Sequence, residues 1–175
     1  MILNLGCGSN KITGAVNVDL ESSVKPDVIA DFRNLLPFPA GSVDEIYFFH
    51  TIEHIEKTYH ARILCEMFRV LKHDGLLIVS YPEFTRCAQN YINNFQGKRD
   101  FWEATIYGRQ LYKSDYHISL MDSRFFEELL EYVGFKDIQF KEDPDGPHYT
   151  VAYARKGEPM KGYEQVLFEE VWRKN

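Results

Sequence analysis

The chain has 175 residues, of which 45% are hydrophobic and 26% charged, and 20 Lys+Arg against 26 Asp+Glu give a net charge of -6. These values fit one domain over residues 1–175 with a core that needs no disulfides, and they exclude a chain that is disordered throughout. The negative charge offers no overall attraction to nucleic acid or anionic lipid, so we expect neither as a partner.

The cysteines and the amino terminus favour a cytoplasmic protein. Cys7, Cys65 and Cys87 are irregularly spaced and form no CxxC pair, which indicates free thiols in a reducing compartment. The first residues lack the basic region and the long apolar stretch of a signal peptide. No apolar run approaches the ~20 residues needed to cross a membrane.

Short apolar runs that end in glycines or acids occupy the first 50 residues. They predict strands over residues 2–5, 15–19, 27–31 and 44–49. A helix is predicted over residues 59–71, because Ile63, Met67, Val70 and Leu71 recur at helical spacing.

The second half of the chain continues this alternation. It predicts a strand over 76–80, a helix from Asp122 or Ser123 to a stop at Gly134, strands over 136–140 and 149–154, and a terminal helix over 163–172. The turn at 143–146 pairs the last two strands as a hairpin. Between these parts lies an aromatic-rich insert at about 81–120, for which no regular structure is predicted.

Together these elements predict an α/β fold. We expect a Rossmann-like three-layer α/β/α arrangement, with a mostly parallel sheet and an antiparallel C-terminal hairpin. Such sheets bind ligands beyond the carboxyl ends of their strands, where the glycines and acids fall in this sequence.

The Gly6-Cys7-Gly8 turn after the first strand lets a ligand approach the backbone. Lys11 stands where a dinucleotide fingerprint has its third glycine, and the ten residues between Gly8 and Asp19 leave no room for a helix and a strand. A pyrophosphate site is therefore not expected.

Two acids, Asp19 and Asp31, close the next two predicted strands. A carboxylate at such a strand end can accept both hydroxyls of a ribose, and a second polar end can meet an adenine edge. With the glycine turn, they describe a pocket for an adenosine that carries no phosphates.

Seven blocks, in order and spacing, resemble the class I S-adenosylmethionine (SAM)-dependent methyltransferases, and most of all their small type 11 branch. The blocks are LNLGCG (3–8), NVD (17–19), ADF (30–32), LPFP (36–39), SVDEI (42–46), HTIEH (50–54) and FRVLKHDG (68–75). The resemblance implies SAM as the cofactor and methyl transfer to a small or medium-sized acceptor as the reaction.

The resemblance also implies a set of cofactor-binding residues. Gly6, Cys7 and Gly8 would line the methionine end, Asp19 with Leu20 would lie at the ribose, Asp31 with Phe32 would flank the adenine, and His50 with Thr51 would lie under the sulfonium. His50, His54 and His117 are the candidate catalytic residues, and we expect Asp115 to orient His117. The aromatic insert suggests an acceptor with a flat or apolar part.

Two alternatives stay open. The helix after the glycine turn and the cap helix found in many family members are missing, which is compatible with a non-catalytic subunit that binds cofactor or partner. In addition, His50-Thr51-Ile52-Glu53-His54 fits the HxxEH pattern of zinc hydrolases. Because His50 directly follows a strand, the two histidines need not share a helical face, and we expect no metal.

Overall fold

The structure is a computed structural model that describes residues 1–111, 115–144 and 146–162. In these residues the strands are β1 (Ile2–Leu5), β2 (Val16–Asp19), β3 (Val28–Ile29), β4 (Val43–Phe49), β5 (Leu71–Pro82), β6 (Phe135–Asp143) and β7 (Gly146–Lys156). The α-helices are α1 (Lys57–Val70), α2 (Phe84–Ile92), α3 (Arg99–Tyr107) and α4 (Ser123–Val133).

The strands form one seven-stranded sheet in the order β3-β2-β1-β4-β5-β7-β6. Strands β1 to β5 pair in parallel, and β7 runs antiparallel between β5 and β6. The predicted Rossmann-like α/β class, with its mostly parallel sheet and antiparallel C-terminal hairpin, is confirmed. The predicted terminal helix over 163–172 lies outside the described residues.

One face of the sheet packs on α1 and α4 to form the core. Leu3 pairs in register with Ile46, which pairs with Leu77, so all three point to this face. From the helices, Met67 and Phe126 are almost fully buried in the same cluster. Both helices therefore bury the faces that their sequence periodicity predicts.

The other face of the sheet carries a buried polar network at β1 and β2. The Asn4 side chain donates to Oδ1 of Asn17 at 2.9 Å, and Asn17 donates in turn to Asp27 at 3.0 Å. The same Oδ1 accepts a 2.8 Å bond from the backbone N–H of Ile12. These bonds hold the loop that replaces the first crossover helix, as the sequence predicts, because buried amides must be paired.

The insert at 81–120 is more regular than the sequence analysis predicts, because it contains the packed helices α2 and α3. Glu83 caps α2 by accepting a 2.7 Å bond from the backbone N–H of Arg86. On α3, Trp102 is buried and its Nε1 donates to the carbonyl of Phe95 at 3.2 Å. Phe95 and Phe101 contact the ring of Trp102 but are themselves exposed, so these aromatic side chains surround one buried residue and form no separate core.

Several strands also differ in length from prediction. The third strand is shorter than residues 27–31, whereas the fifth, sixth and seventh strands are longer than residues 76–80, 136–140 and 149–154. The polar residues 72–75 lie at an irregularity of the sheet, since Leu71 pairs with Val43 of β4, Leu76 pairs with Glu45, and β7 pairs with β5 only from Leu76 onward. Among the described residues, none of the helices combines the length and the apolar character that crossing a membrane requires.

Candidate cofactor and active site

The site lies where the order of strands reverses. Strand β1 is flanked by β2 on one side and β4 on the other, so a crevice opens at its carboxyl end. Gly6 follows β1 with a positive φ of 69°, and a Cβ built there would lie 2.2 Å from Oγ1 of Thr51. Thr51 itself follows β4 and is fixed by donating a 2.8 Å bond to the carbonyl of Phe49. Only glycine therefore fits at position 6.

Asp19 lies at the next strand end and is oriented by the glycine turn. The backbone N–H of Gly8 donates to its Oδ2 at 2.8 Å, and the backbone N–H of Glu21 donates to its Oδ1 at 2.9 Å. Each oxygen of the carboxylate has a further lone pair to offer. The geometry thus positions Asp19 as a bidentate acceptor for a neighbouring diol.

The residues predicted around the adenine differ in what they offer. Leu20 is 54% exposed beside Asp19, so it presents an apolar surface at this edge. Asp31 forms an ion pair with Arg33 at 2.9 Å, and the hydrogen bond from this guanidinium lowers the pKa of its carboxyl. Phe32 is only 8% exposed, with its ring edge-on to Phe48, so it offers a ligand little surface.

Cys7, within the glycine turn, is buried. Burial is the largest cause that raises the pKa of its thiol, with the charge of Asp19 acting in the same direction. Both effects disfavour the thiolate, so Cys7 contributes packing and backbone to the site rather than a nucleophile. None of Cys7, Cys65 and Cys87 forms a disulfide in the structure.

His50 directly follows β4 in a conformation that is uncommon for a non-glycine residue, with a φ of 49°. Its ring packs against Tyr149 at a centroid distance of 4.4 Å, and its Nδ1 lies 3.9 Å from Oε1 of Glu53. Its side chain is 38% exposed. Backbone strain of this kind is concentrated at functional sites, so it makes His50 a candidate functional residue.

His54 and His117 lie next to each other, with ring centroids 4.9 Å apart. His54 donates from Nδ1 to the carbonyl of Tyr116 at 2.9 Å, and His117 donates from Nδ1 to the carbonyl of Thr105 at 2.9 Å. Burial and the nearby His54 lower the pKa of His117 to about 4, so it is neutral at physiological pH.

One expectation about these histidines needs correction. Asp115 does not orient His117 by a hydrogen bond, because its carboxylate accepts from the backbone N–H of Leu111 at 3.1 Å and pairs with Arg109 at 3.6 Å. The two histidines of the HxxEH pattern do not share an α-helical face, as the sequence analysis expects. His50 directly follows a strand, and His54 ends a short 3-10 helix, Ile52–His54.

The fold brings to this site two residues, Glu53 and Tyr149, to which the sequence alone assigns no functional role. Glu53 is 3% exposed, and burial raises the pKa of its carboxyl to about 8. Tyr149 reaches the site because β7 is antiparallel, so its first residues meet the carboxyl end of β5 at Pro82. The acidic residue within the HxxEH pattern could have indicated Glu53 from the sequence. The position of Tyr149 could not be predicted, because it depends on the order of the strands.

Two cavities adjoin the site on the side of α2 and α3. A small one of about 10 Å³ is lined in part by Glu53 and His117. A larger one of about 370 Å³ lies between the two helices. Phe84, Ile106 and Leu120 line both cavities, so the larger cavity leads toward the histidines.

Comparison with known proteins agrees with this geometry. Residues 3–79 match the family model described as a methyltransferase domain of type 11. These residues contain the glycine turn, the strand-end acids and the HTIEH block. No curated protein matches the chain significantly in sequence.

Solved structures share the fold at low sequence identity. A SAM-dependent methyltransferase from Archaeoglobus fulgidus superimposes with a TM-score of 0.65 at 15% identity, covering 89% of this chain and 85% of the other. A SAM-dependent methyltransferase from Methanosarcina mazei gives 0.60 at 16% identity, covering 89% and 91%. A SAM-dependent methyltransferase from Thermotoga maritima, described as a possible histamine N-methyltransferase, gives 0.59 at 16% identity, covering 89% and 81%.

Proposed function

We propose that this chain is a class I SAM-dependent methyltransferase of the type 11 kind, which transfers a methyl group from SAM to a small or medium-sized acceptor; the match of residues 3–79 and the shared fold support this. The observation that carries the proposal is the bond between the backbone N–H of Gly8 and the carboxylate of Asp19. It joins the glycine turn and the ribose acid into one preformed adenosine site.

In this proposal each end of the cofactor has its own residues. Asp19 accepts the two ribose hydroxyls, and the exposed Leu20 packs on the adenine, with Asp31 at its edge. The turn from Gly6 to Gly8 holds the methionine end. Because Thr51 packs directly over Gly6, the sulfonium lies between the carboxyl ends of β1 and β4.

The reaction is an in-line displacement. An acceptor lone pair forms a bond to the methyl carbon while the carbon–sulfur bond breaks, and its electron pair stays on sulfur as S-adenosylhomocysteine forms. An acceptor that carries a proton then loses it. Positioning and exclusion of water, which can be worth ~7–11 kcal/mol, are the main contribution of the protein.

The three candidate catalytic histidines differ in what they can do. His50, partly exposed at the end of β4, is closest to the proposed place of the sulfonium and is a candidate base for the acceptor proton. His54 and His117 have Nδ1 committed to backbone carbonyls, so each presents Nε2 as its basic nitrogen toward the acceptor side.

The acceptor would enter through the cavity between α2 and α3. Its volume of about 370 Å³ suits a small molecule, and its lining is mainly apolar and aromatic. The lining residues are Phe84, Ala88, Tyr91, Ile92, Glu103, Ile106, Tyr107 and Leu120. A cytoplasmic location belongs to the same proposal, because the three cysteines are buried and form no disulfide.

The test is conversion of SAM to S-adenosylhomocysteine in the presence of a mixture of aromatic alcohols, amines and thiols, with mass spectrometry of the acceptors. We expect one acceptor class to gain a methyl group with the wild type but not with Asp19→Asn. Asp44→Asn is the matched control, since Asp44 pairs with Lys72 outside the site, beside the first residue of the chain. Tight SAM binding with no turnover on any acceptor class would favour the non-catalytic subunit instead.

A further inference from the structure

Three side chains with metal-binding chemistry meet behind the proposed reaction centre. Glu53 and His54 come from the short helix after β4, and His117 comes from the segment after α3. Each offers one ligand atom, and these three atoms all lie within 4.8 Å of one another. Two of the three residues belong to the HxxEH pattern, but the third is 63 positions further along the chain than His54.

Both histidines are held in the tautomer that a metal ligand needs. A backbone carbonyl can only accept a hydrogen bond, so the contacts of His54 with Tyr116 and of His117 with Thr105 place the proton on Nδ1. The lone pair is then on Nε2 of each ring. A ring N–H bonded to a backbone carbonyl is the arrangement that orients histidine ligands in metalloproteins.

The carboxyl group of Glu53 is unusual because it is buried while one of its two oxygens has no hydrogen-bonding partner. Its side chain is 4% exposed, and Oε2 has no hydrogen-bonding partner in the structure. A buried polar atom without a partner is costly, so such an atom needs a specific explanation. The small cavity that Glu53 and His117 line has a volume of about 10 Å³, which is close to the space that one water-sized ligand occupies.

The backbone around these residues is fixed before any ligand arrives. The backbone N–H groups of Ile118 and Ser119 donate to the carbonyl of Glu53 at 2.9 and 3.2 Å, and that of His117 donates to Tyr107 at 3.0 Å. These bonds join the two segments that supply the three side chains. Preorganisation of this kind is what a binding site requires.

We propose that Glu53, His54 and His117 bind one divalent transition-metal ion of the Zn²⁺ class, through Oε2 of the glutamate and Nε2 of both histidines. Two imidazoles and one carboxylate are the protein ligands of many catalytic zinc sites, which keep a fourth position open. In a tetrahedral site, ligands that each lie ~2.0–2.2 Å from the ion are about 3.3–3.6 Å apart, so the three side chains would rotate toward one another to close the set.

The site differs from the one that the HxxEH pattern suggests, and it departs from our expectation of no metal. That pattern pairs His50 with His54, whereas the fold pairs His54 with His117. His50 lies beside the site, with Nδ1 3.9 Å from Oε1 of Glu53. The ligand set could not be derived from the sequence, because it depends on where the segment after α3 docks.

The open position of the ion would face the cavities on the side of α2 and α3. A divalent ion there would bind an acceptor oxygen or nitrogen and favour loss of its proton before the methyl group arrives. This consequence rests on the proposed methyl transfer. Binding of the ion itself does not, so the two can be tested separately.

The experiment titrates the purified chain, without a histidine tag and after chelator treatment, with Co²⁺ and then Zn²⁺. The visible bands of protein-bound Co²⁺ report its ligands, and calorimetry gives the stoichiometry and the Kd. We expect one equivalent in the wild type and at least ~10-fold weaker binding in Glu53→Gln and His117→Gln, in line with the cost of altering a metal shell. His73→Gln is the matched control, because His73 is an exposed histidine in the first part of β5.

Circular dichroism verifies that each variant is folded, and His54→Gln replaces any variant that is not. Absence of Co²⁺ bands and of Zn²⁺ heat in the wild type would overturn the proposal, as would wild-type affinity in both ligand variants. SAM calorimetry on the chelated protein runs in parallel. SAM binding without metal binding overturns only this proposal, whereas metal binding without SAM binding overturns only the proposed function.

Discussion

The backbone N–H of Gly8 donates a 2.8 Å hydrogen bond to Oδ2 of Asp19. This bond connects the turn after β1 with the acid at the end of β2, although eleven positions separate them in the sequence. It replaces the support that a crossover helix would give to the turn. The geometry of the adenosine site therefore depends on these two residues together.

Gly6→Ala should destabilise the fold and weaken SAM binding. The new Cβ would lie 2.2 Å from Oγ1 of Thr51, and the positive φ of 69° is strained for alanine. We expect a loss of roughly 2–4 kcal/mol in the free energy of unfolding, from overpacking and backbone strain together. Urea unfolding followed by circular dichroism measures it.

The matched control is Gly14→Ala, because Gly14 also has a positive φ but no atom lies within 4 Å of its added Cβ. It should lose only the ~1–2 kcal/mol of backbone strain. Equal losses in the two variants would mean that the contact between Gly6 and Thr51 does not constrain the turn.

Asn17→Ala should destabilise the protein by about 2–3 kcal/mol, because it leaves the buried amide of Asn4 and the backbone N–H of Ile12 without their shared acceptor. Urea unfolding of this variant and of Asn10→Ala gives the comparison. Asn10 is in the same loop with an exposed side chain, so its replacement should change stability by less than ~0.5 kcal/mol. A small effect of Asn17→Ala would show that the loop is held by other contacts.

The pKa of Asp44 should be about 2, because its carboxylate accepts a hydrogen bond from Lys72 and another from the amino terminus. Since this pKa is below the unfolded value of ~3.9, the stabilisation is complete above pH ~4 and is lost as the pH falls through 2. Carboxyl NMR titration measures it directly. Lys72→Met should raise the pKa of Asp44, and an unchanged value would assign the shift to the amino terminus alone.

Ala88→Phe should fill the cavity between α2 and α3 and raise KM for the acceptor at least ~10-fold, because the added ring occupies space that the acceptor needs. The Kd for SAM should stay within twofold, since the cofactor site lies at the ends of β1 and β2. Thr85→Phe adds the same ring at an exposed position of α2 and serves as control. Equal KM values in both variants would place the acceptor elsewhere.

Much of the fold follows from local patterns in the sequence. Short apolar strands and two helices with clear periodicity predict a parallel α/β sheet, and Gly6, Asp19 and His50 mark its binding edge. Helix α2 could also have been predicted from the sequence, because its apolar residues recur at helical spacing, at Phe84, Cys87, Ala88 and Tyr91. Its aromatic composition and the irregular residues after it obscure this period.

The rest depends on contacts between distant parts of the chain. No local pattern indicates that His117 lies 4.9 Å from His54, or that Tyr149 packs on His50, since both follow from docking onto the sheet edge. Burial of Phe32 likewise depends on its edge-on contact with Phe48. The strand ends that carry the candidate cofactor residues were therefore predictable from sequence, whereas the contacts around the candidate acceptor side were not.

The most direct test of the proposed SAM site is calorimetric titration of the wild type and of Asp19→Asn with SAM, S-adenosylhomocysteine, ATP and NAD. We expect SAM and S-adenosylhomocysteine each to bind the wild type at one site. Asp19→Asn should weaken both at least ~10-fold through loss of charge-assisted hydrogen bonds worth roughly 1.5–3 kcal/mol each, and Asp44→Asn should weaken neither. Binding of ATP or NAD with no heat from millimolar SAM would contradict it.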